Sequence, residues 1–387
     1  LTIFQVTHKD ERLPPNKVNK PRLIQGSPLT LTISSRKFLM DFNYAFQNSR
    51  LDLEHAVGIN PESLDWDTLA KRLTEHSPYI CTGDFSKFGP RLLTDFVHAT
   101  YKVRNSWYNQ FDCPKEHQTT RTMLGYRVAD SFNMAYNRVF KVRCGSPSGD
   151  INTVQTNSIC NMLYFRCAWI GIMRELKPEL TGLHHFKDLV VFYCYGDDVI
   201  FSVHPSVIEL FNNETISKYF EKFGVSYTDV NKDGSIRKHC SIEEATFLKK
   251  GFSKFTDTPI PGGVWICVPP LSDILDTTNW VRKTKGVSDT TFISENEIQA
   301  AVVNCEDAVR KSWFHGRSYF DKLQADIRDF WKSFGGKIKP RNFTFEGLQI
   351  DYGIPTFQGV EFQDLQNDFL LNDQLLDPTW RASHCDG

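Results

Sequence analysis

Apolar and polar positions along the chain change period several times, and each change marks an element. Residues 188–203, Asp-Leu-Val-Val-Phe-Tyr-Cys-Tyr-Gly-Asp-Asp-Val-Ile-Phe-Ser-Val, are two β-branched and aromatic runs flanking Gly196-Asp197-Asp198. That pattern predicts a hairpin of buried strands with two carboxylates at its tight turn. Phe38, Leu39, Phe42 and Phe46 recur at helical spacing and predict a helix over 36–48. Residues 78–82 read as a strand leading into Gly83-Asp84. A helix is then expected to open at Gly89-Pro90, with glycine as N-cap and proline in the first turn, and to carry Leu92, Leu93, Phe96, Val97, Thr100 and Val103. The loop Cys-Gly-Ser-Pro-Ser-Gly at 144–149 precedes a long helix to about Glu175, and 206–223 read as a helix stopped by Gly224. A short strand and a loop at 231–234 come next, then strand and turn at 246–252. Ser294 with Glu297 forms a capping box for a helix carrying Ile298, Ala301, Val302, Cys305 and Val309. A further helix over 317–334 ends at Gly335-Gly336, and the last fifty residues show no clear period.

Composition narrows the picture only slightly. The 387 residues suffice for two or three subdomains, and high aromatic content, led by 30 Phe, argues against global disorder. The net charge of −1 gives no nucleic-acid signal for the whole chain. The charge is uneven, however: residues 1–50 hold eight Lys/Arg against three Asp/Glu. Residues 8–24 are basic and punctuated by prolines, hence extended or looped. Ten scattered cysteines without zinc spacing favour free thiols in a reducing compartment. No apolar run approaches the ~18 residues of a membrane span, and no signal peptide is visible. The chain starts at Leu1 inside a basic stretch, as a processed product or the ordered part of something longer would.

The chemistry is concentrated in the carboxylates. Two adjacent aspartates repel each other and lose hydration when half-buried, and a divalent cation relieves both costs. Oxygen-only ligands suit Mg²⁺ or Mn²⁺, and Mg²⁺ commonly shares its shell with substrate phosphates. The hairpin therefore suggests metal-assisted phosphoryl transfer, although a solvated Gly-Asp turn has the same local sequence.

Six segments stand in one order: Lys-Asp-Glu with Lys-Pro-Arg-Leu-Ile (9–11, 20–24), Gly-Asp-Phe-Ser-Lys-Phe-Gly-Pro (83–90), Ser-Gly-x-x-x-Thr-x-x-x-Asn (148–157), Tyr-Gly-Asp-Asp (195–198), Thr-Asp-Val-Asn-Lys (228–232) and Phe-Leu-Lys-Lys-Gly-Phe (247–252). In this order they resemble the RNA-dependent RNA polymerases of picorna-like positive-strand RNA viruses, and the Phe-Gly-Pro after Asp84 looks most like insect iflaviruses. The resemblance covers residues 9–252 and implies an α+β, right-handed polymerase fold: fingers, an antiparallel palm sheet backed by helices, and a mostly helical thumb. It places fingers at 1–75, palm at 76–104, a fingers insertion at 105–143, palm again at 144–257 and thumb at 258–387.

It further implies that Asp84 and Asp197 bridge two Mg²⁺ or Mn²⁺ ions with Asp198 in support, and that Lys232 acts as general acid toward pyrophosphate. Lys9, Lys20 and Arg22 are expected along the nucleotide channel. Ser148 and Gly149 would form a loop against template and nucleotide. Asn157, with Thr153 or Ser148, would read the ribose 2′-hydroxyl. Phe247, Leu248, Lys249 and Lys250 would grip the primer strand. The implied partners are RNA template and primer, nucleoside triphosphates, a small viral protein primer and other viral replication proteins, in membrane-associated complexes of the host cytoplasm. One position departs from the pattern. Most picorna-like polymerases carry a second aspartate five residues after the catalytic one, where this chain has Gly89, so Asn157 is expected to carry most of the sugar discrimination. A reverse transcriptase shares the palm and paired aspartates but not the Ser-Gly-x-x-x-Thr-x-x-x-Asn helix. A catalytically inactive RNA-binding scaffold would not require Asp84, Asp197, Asp198 and Lys232 to be intact together.

Overall fold

A computed structural model of the chain describes residues 2–11, 13, 19–111, 113–229, 236–281, 294–333 and 339–357. The chain divides into two units, the first holding 1–61 and 65–252 and the second 62–64 and 253–387.

The first unit is organised around an antiparallel sheet in the order β6-β7-β3-β8. Its strands are β3 (Ile80–Phe85), β6 (Val190–Tyr195), β7 (Asp198–Val203) and β8 (Tyr227–Asp229). β3 and β7 are buried nearly throughout, and in β7 this burial on both faces shows as a largely apolar run rather than as alternation. The 24-residue helix α6 (Thr153–Leu176) belongs to the same core, where Phe165 meets Phe192 and Phe201 at ring-centroid distances of 4.7 and 5.3 Å.

A second sheet, β2-β1-β4-β5, joins the two ends of the basic segment, β1 (Ile3–His8) and β2 (Leu23–Gly26), to the hairpin β4 (Phe132–Ala135) and β5 (Arg138–Lys141). β1 runs antiparallel to β2 and parallel to β4. Helices α1 (Leu29–Asn48), α2 (Leu64–His76), α4 (Thr94–Tyr108), α5 (Lys115–Ala129), α7 (Leu183–Leu189) and α8 (Asn213–Glu221) complete the unit, with a single helical turn, α3 (Phe88–Arg91), ahead of α4.

Two expected helices are shorter than their periodicity suggests. Gly89 is not an N-cap. It lies inside α3, whose own N-cap, Lys87, takes a left-handed φ of 58°. The chain turns extended at Leu92 and Leu93, and α4 begins at Thr94. The cause is tertiary: Ser146 N–H donates to the Gly89 carbonyl (2.9 Å) and Gly145 N–H to that of Leu92 (2.7 Å), which captures carbonyls a continuous helix would use. The helix expected over 206–223 exists only as α8. Asn212 caps it by accepting from the Glu214 and Thr215 amides in a full capping box, and Asn213 turns inward to donate to the Thr82 carbonyl on β3.

The second unit contains the sheet of β9 (Gly251–Phe255) and β10 (Val264–Val268) and helices α9 (Leu271–Thr278), α10 (Glu295–Ser312), α11 (Arg317–Ser333) and α12 (Phe345–Asp351). The chain crosses from the first unit within β9. The Ser294–Glu297 capping box is present, with Ser294 N–H donating to Glu297 and Glu297 N–H to Ser294. Trp313 is the centre of this core, stacked on Phe345 at 5.1 Å and donating its indole N–H to the Phe345 carbonyl. The glycines expected to stop the helix before 335 lie outside the described residues.

Candidate active site

The carboxylates converge through strand register. β3 pairs with β7 from Ile80–Ser202 to Gly83–Val199, so the next step brings Asp84 level with Asp198. Directly opposed residues of an antiparallel pair share a sheet face. Asp197 follows Gly196 in the two-residue connection between Tyr195 and Asp198, where Gly196 supplies the positive φ (65°) that a tight hairpin requires. Asp84 and Asp198 are half-buried and Asp197 is exposed.

The tip is clamped from α6. Asn161 donates through Nδ2 to the carbonyls of Gly196 (3.0 Å) and Asp197 (3.4 Å), and Ser158 Oγ accepts from Gly196 N–H at 2.9 Å. On the other side of β3, Gly83 is obligatory. A Cβ there would lie 2.0 Å from the hydroxyl of Tyr227, whose buried ring covers it and whose hydroxyl donates to Asn213. Asp229, opposite Gly83 on β8, is buried and pairs with Arg237 at 3.1 Å.

The basic segment reaches the same place electrostatically. Glu11 holds the Arg22 guanidinium in a bidentate pair and raises its pKa further, and the charge of Asp197 adds to that rise. Lys9 lies 3.8 Å from Glu11, and Lys9 and Lys20 are exposed. The 144–149 loop docks on β2: Gly149 N–H donates to the Gln25 carbonyl at 3.0 Å, and Ser148 exchanges 3.3 Å bonds with Gln25. Gly149 must be glycine, since a Cβ would sit 2.3 Å from that carbonyl.

Of the two polar residues expected on one face of α6, Thr153 spends its hydroxyl on the carbonyls of Asp150 (2.6 Å) and Pro147 (3.1 Å). It therefore closes the first helical turn. Asn157, one turn on, is half-buried, and its Oδ1 is shielded from solvent and without a hydrogen-bond partner. Phe247 is buried against Trp66, and the turn after it places Lys249 at the surface. Lys232 lies outside the described residues.

Several residues of this site carried no recognisable signal in the sequence. Ser158, Asn161 and Arg104 lie outside the six ordered segments, and Asp150 is an unspecified position within one of them. Only the fold shows that all are buried. Among the described residues no group of three or more acidic, His or Cys side chains is arranged so as to hold a metal ion by itself. The donor set of Asp84, Asp197 and Asp198 fits a hard cation that completes its shell with water and phosphate oxygens.

A family model described as viral RNA-dependent RNA polymerase matches residues 2–330. The chain belongs to that family. It is 32% identical over 340 residues to the genome polyprotein of Deformed wing virus, covering 86% of this chain and 11% of that protein. Against the replicase polyprotein of Cricket paralysis virus it is 31% identical over 359 residues, 90% of this chain and 19% of the other. The chain thus spans a tenth to a fifth of these polyproteins. Among solved structures, the Sicinivirus 3Dpol RNA dependent RNA polymerase superposes with a TM-score of 0.72 at 16% identity, over 91% of this chain and 67% of that one. The polymerase fold and the picorna-like, iflavirus-related assignment follow.

Proposed function

We propose that this chain performs template-directed RNA synthesis in viral genome replication, transferring nucleotidyl groups from nucleoside triphosphates to an RNA 3′-hydroxyl. The observation that carries the reading is the register that brings Asp84 level with Asp198 while α6 fixes the turn bearing Asp197. Two Mg²⁺ or Mn²⁺ ions held by Asp84 and Asp197, with Asp198 in support, would supply activation of the 3′-hydroxyl and charge neutralisation at the triphosphate.

The protein's own groups account for the remaining roles. Lys9, Lys20 and Arg22 attract the triphosphate, and the bond from Glu11 keeps the Arg22 fork oriented. Ser148 and Gly149 meet template and nucleotide. Asn157 offers Oδ1 to the ribose 2′-hydroxyl in place of the missing acid at position 89. Lys232 donates a proton to the leaving pyrophosphate. The turn 247–250 carries its lysines to the primer phosphates.

In this reading the fingers comprise 1–75 and 105–143, the palm 76–104 and 144–257, and the thumb 258–387. RNA template and primer are its partners, with a small protein primer and other replication proteins of the same polyprotein, in membrane-associated complexes of the host cytoplasm. No helix among the described residues is long and apolar enough to cross a membrane.

Primer extension on an RNA template with Mg²⁺ or Mn²⁺ tests the proposal. Wild type should add ribonucleotides in preference to deoxynucleotides. Asp197→Asn should abolish addition while RNA affinity, carried by phosphate contacts, changes little. Appreciable extension by this variant would overturn the assignment.

A further inference from the structure

The 144–149 loop is attached to the rest of the unit in three stretches. Its first stretch is tied to the chain between α3 and α4. Gly145 N–H donates to the Leu92 carbonyl (2.7 Å), Ser146 N–H to that of Gly89 (2.9 Å), and Cys144 Sγ to that of Pro90 (3.6 Å). Its end is tied to the start of α6: the Pro147 carbonyl accepts from Asp150 N–H (3.0 Å) and from Thr153 Oγ1 (3.1 Å). Gly145, Ser146 and Pro147 are buried, so packing fixes them as well.

Ser148 and Gly149 differ, because both are exposed. Their bonds run to one residue of β2. Ser148 N–H donates to Gln25 Oε1 and Gln25 N–H to Ser148 Oγ, each at 3.3 Å, and Gly149 N–H donates to the Gln25 carbonyl at 3.0 Å. A parallel bridge between Gly26 and Gly149 continues the contact. β2 is itself held by β1, with Gln25 opposite Val6 and Ile24 opposite Thr7, and the Arg22 carbonyl just ahead of it accepts from Lys9 N–H at 2.8 Å. Arg22 and Gln25 are therefore separated by three residues of extended chain, about 10 Å. The strand pairing and the Gly149 bond use only the backbone of Gln25. Its side-chain oxygen is spent on the Ser148 amide, so glutamine at this position serves the loop rather than the sheet.

We propose that Gln25 is a positioning residue: it locks the exposed Ser148-Gly149 pair to the strand that follows Arg22, so that loop and guanidinium meet one nucleotide at a fixed spacing. This rests on the function proposed above. Two groups that grip the same substrate gain from being held in one frame, because the frame removes freedom the substrate would otherwise have to restrict on binding.

The test is Gln25→Met, which keeps the length and the backbone but removes the acceptor, beside Gln25→Glu, which keeps an oxygen at the same reach. Hydrogen exchange at the Ser148 amide needs no activity. It should quicken about three- to tenfold in Gln25→Met, the scale of one neutral hydrogen bond, and stay near the wild-type rate in Gln25→Glu. In primer extension Gln25→Met should raise the nucleotide KM by a similar factor, with kcat and melting temperature little changed. In an Arg22→Ala background the same substitution should change KM by less than about twofold, since a spacing matters only while both ends bind. Unchanged Ser148 exchange in Gln25→Met overturns the lock, whether or not the wild type extends a primer. If exchange quickens, an unchanged KM overturns the positioning role, as does a KM effect that is undiminished beside Arg22→Ala. A fall in kcat at constant KM with a lowered melting temperature marks fewer folded molecules and overturns it too. A wild type that extends no primer sinks the function proposed above, and the exchange rates then decide the lock by themselves.

Discussion

Two tight turns of the first unit each present charged side chains, and they are stabilised in opposite ways. At Gly196-Asp197 the left-handed residue is a glycine, and the turn is clamped from outside by Asn161 and Ser158. At Phe247–Lys250 both central residues are left-handed without a glycine, Leu248 at φ 52° and Lys249 at φ 60°. That turn closes with its own reciprocal bonds, each 2.9 Å, between Phe247 and Lys250. Each L-residue in this conformation costs roughly 1–2 kcal/mol. The counterweight is aromatic burial: Trp66 stacks on Phe252 at 4.7 Å and on Phe247 at 6.2 Å. The carboxylate turn is thus low in strain and dependent on α6, whereas the lysine turn is strained and dependent on its hydrophobic anchor.

The largest effect expected from breaking this contrast is at that anchor. Phe247→Ala should cost about 3–5 kcal/mol of stability, measured by urea unfolding, because a cavity is added to the strain. A loss below about 1 kcal/mol would mean that the turn holds itself. Removing the clamp on the other turn should matter less for stability and more for chemistry. Asn161→Ala leaves the Gly196 and Asp197 carbonyls unpaired, for about 1–3 kcal/mol, and should lower kcat by one to two decades through displacement of Asp197. Wild-type single-turnover rates in that variant would contradict the clamp. The smallest effect has the opposite sign. Lys249→Gly should raise stability by about 1 kcal/mol by relieving φ strain, while weakening RNA binding and making it less sensitive to salt. A stability loss would show that the left-handed lysine is held without strain.

What could be read from the chain follows the same division. The 188–203 hairpin, α6 and the Ser294 capping box were legible because their signals are local: strand-length apolar runs about a glycine, helical spacing after a Pro-Ser-Gly loop, a polar residue three positions before its acidic partner. The helix starts were misjudged where distant backbone intervened. At Gly89 and Leu92, amides more than fifty residues away captured the carbonyls, and at Asn212 a side chain ended one turn and began another. Gly89 shows the consequence for chemistry. Its missing acid is not an N-cap choice, and a Cβ there would meet only the Ser146 carbonyl, at 3.8 Å.

By itself the sequence determined which groups could do chemistry: the identities and order of Asp84, Asp197, Asp198, Arg22 and Asn157, and the family they imply. Covalent chemistry and short-range periodicity are carried within a few residues, so one dimension suffices for them. Only the tertiary structure decided which polar residues are buried and what they hold. Asn161 under the hairpin tip and Tyr227 over Gly83 each act through a partner at least 35 positions away in the chain. Burial and electrostatic coupling depend on what lies across the core, and that is set only when helices and sheets pack.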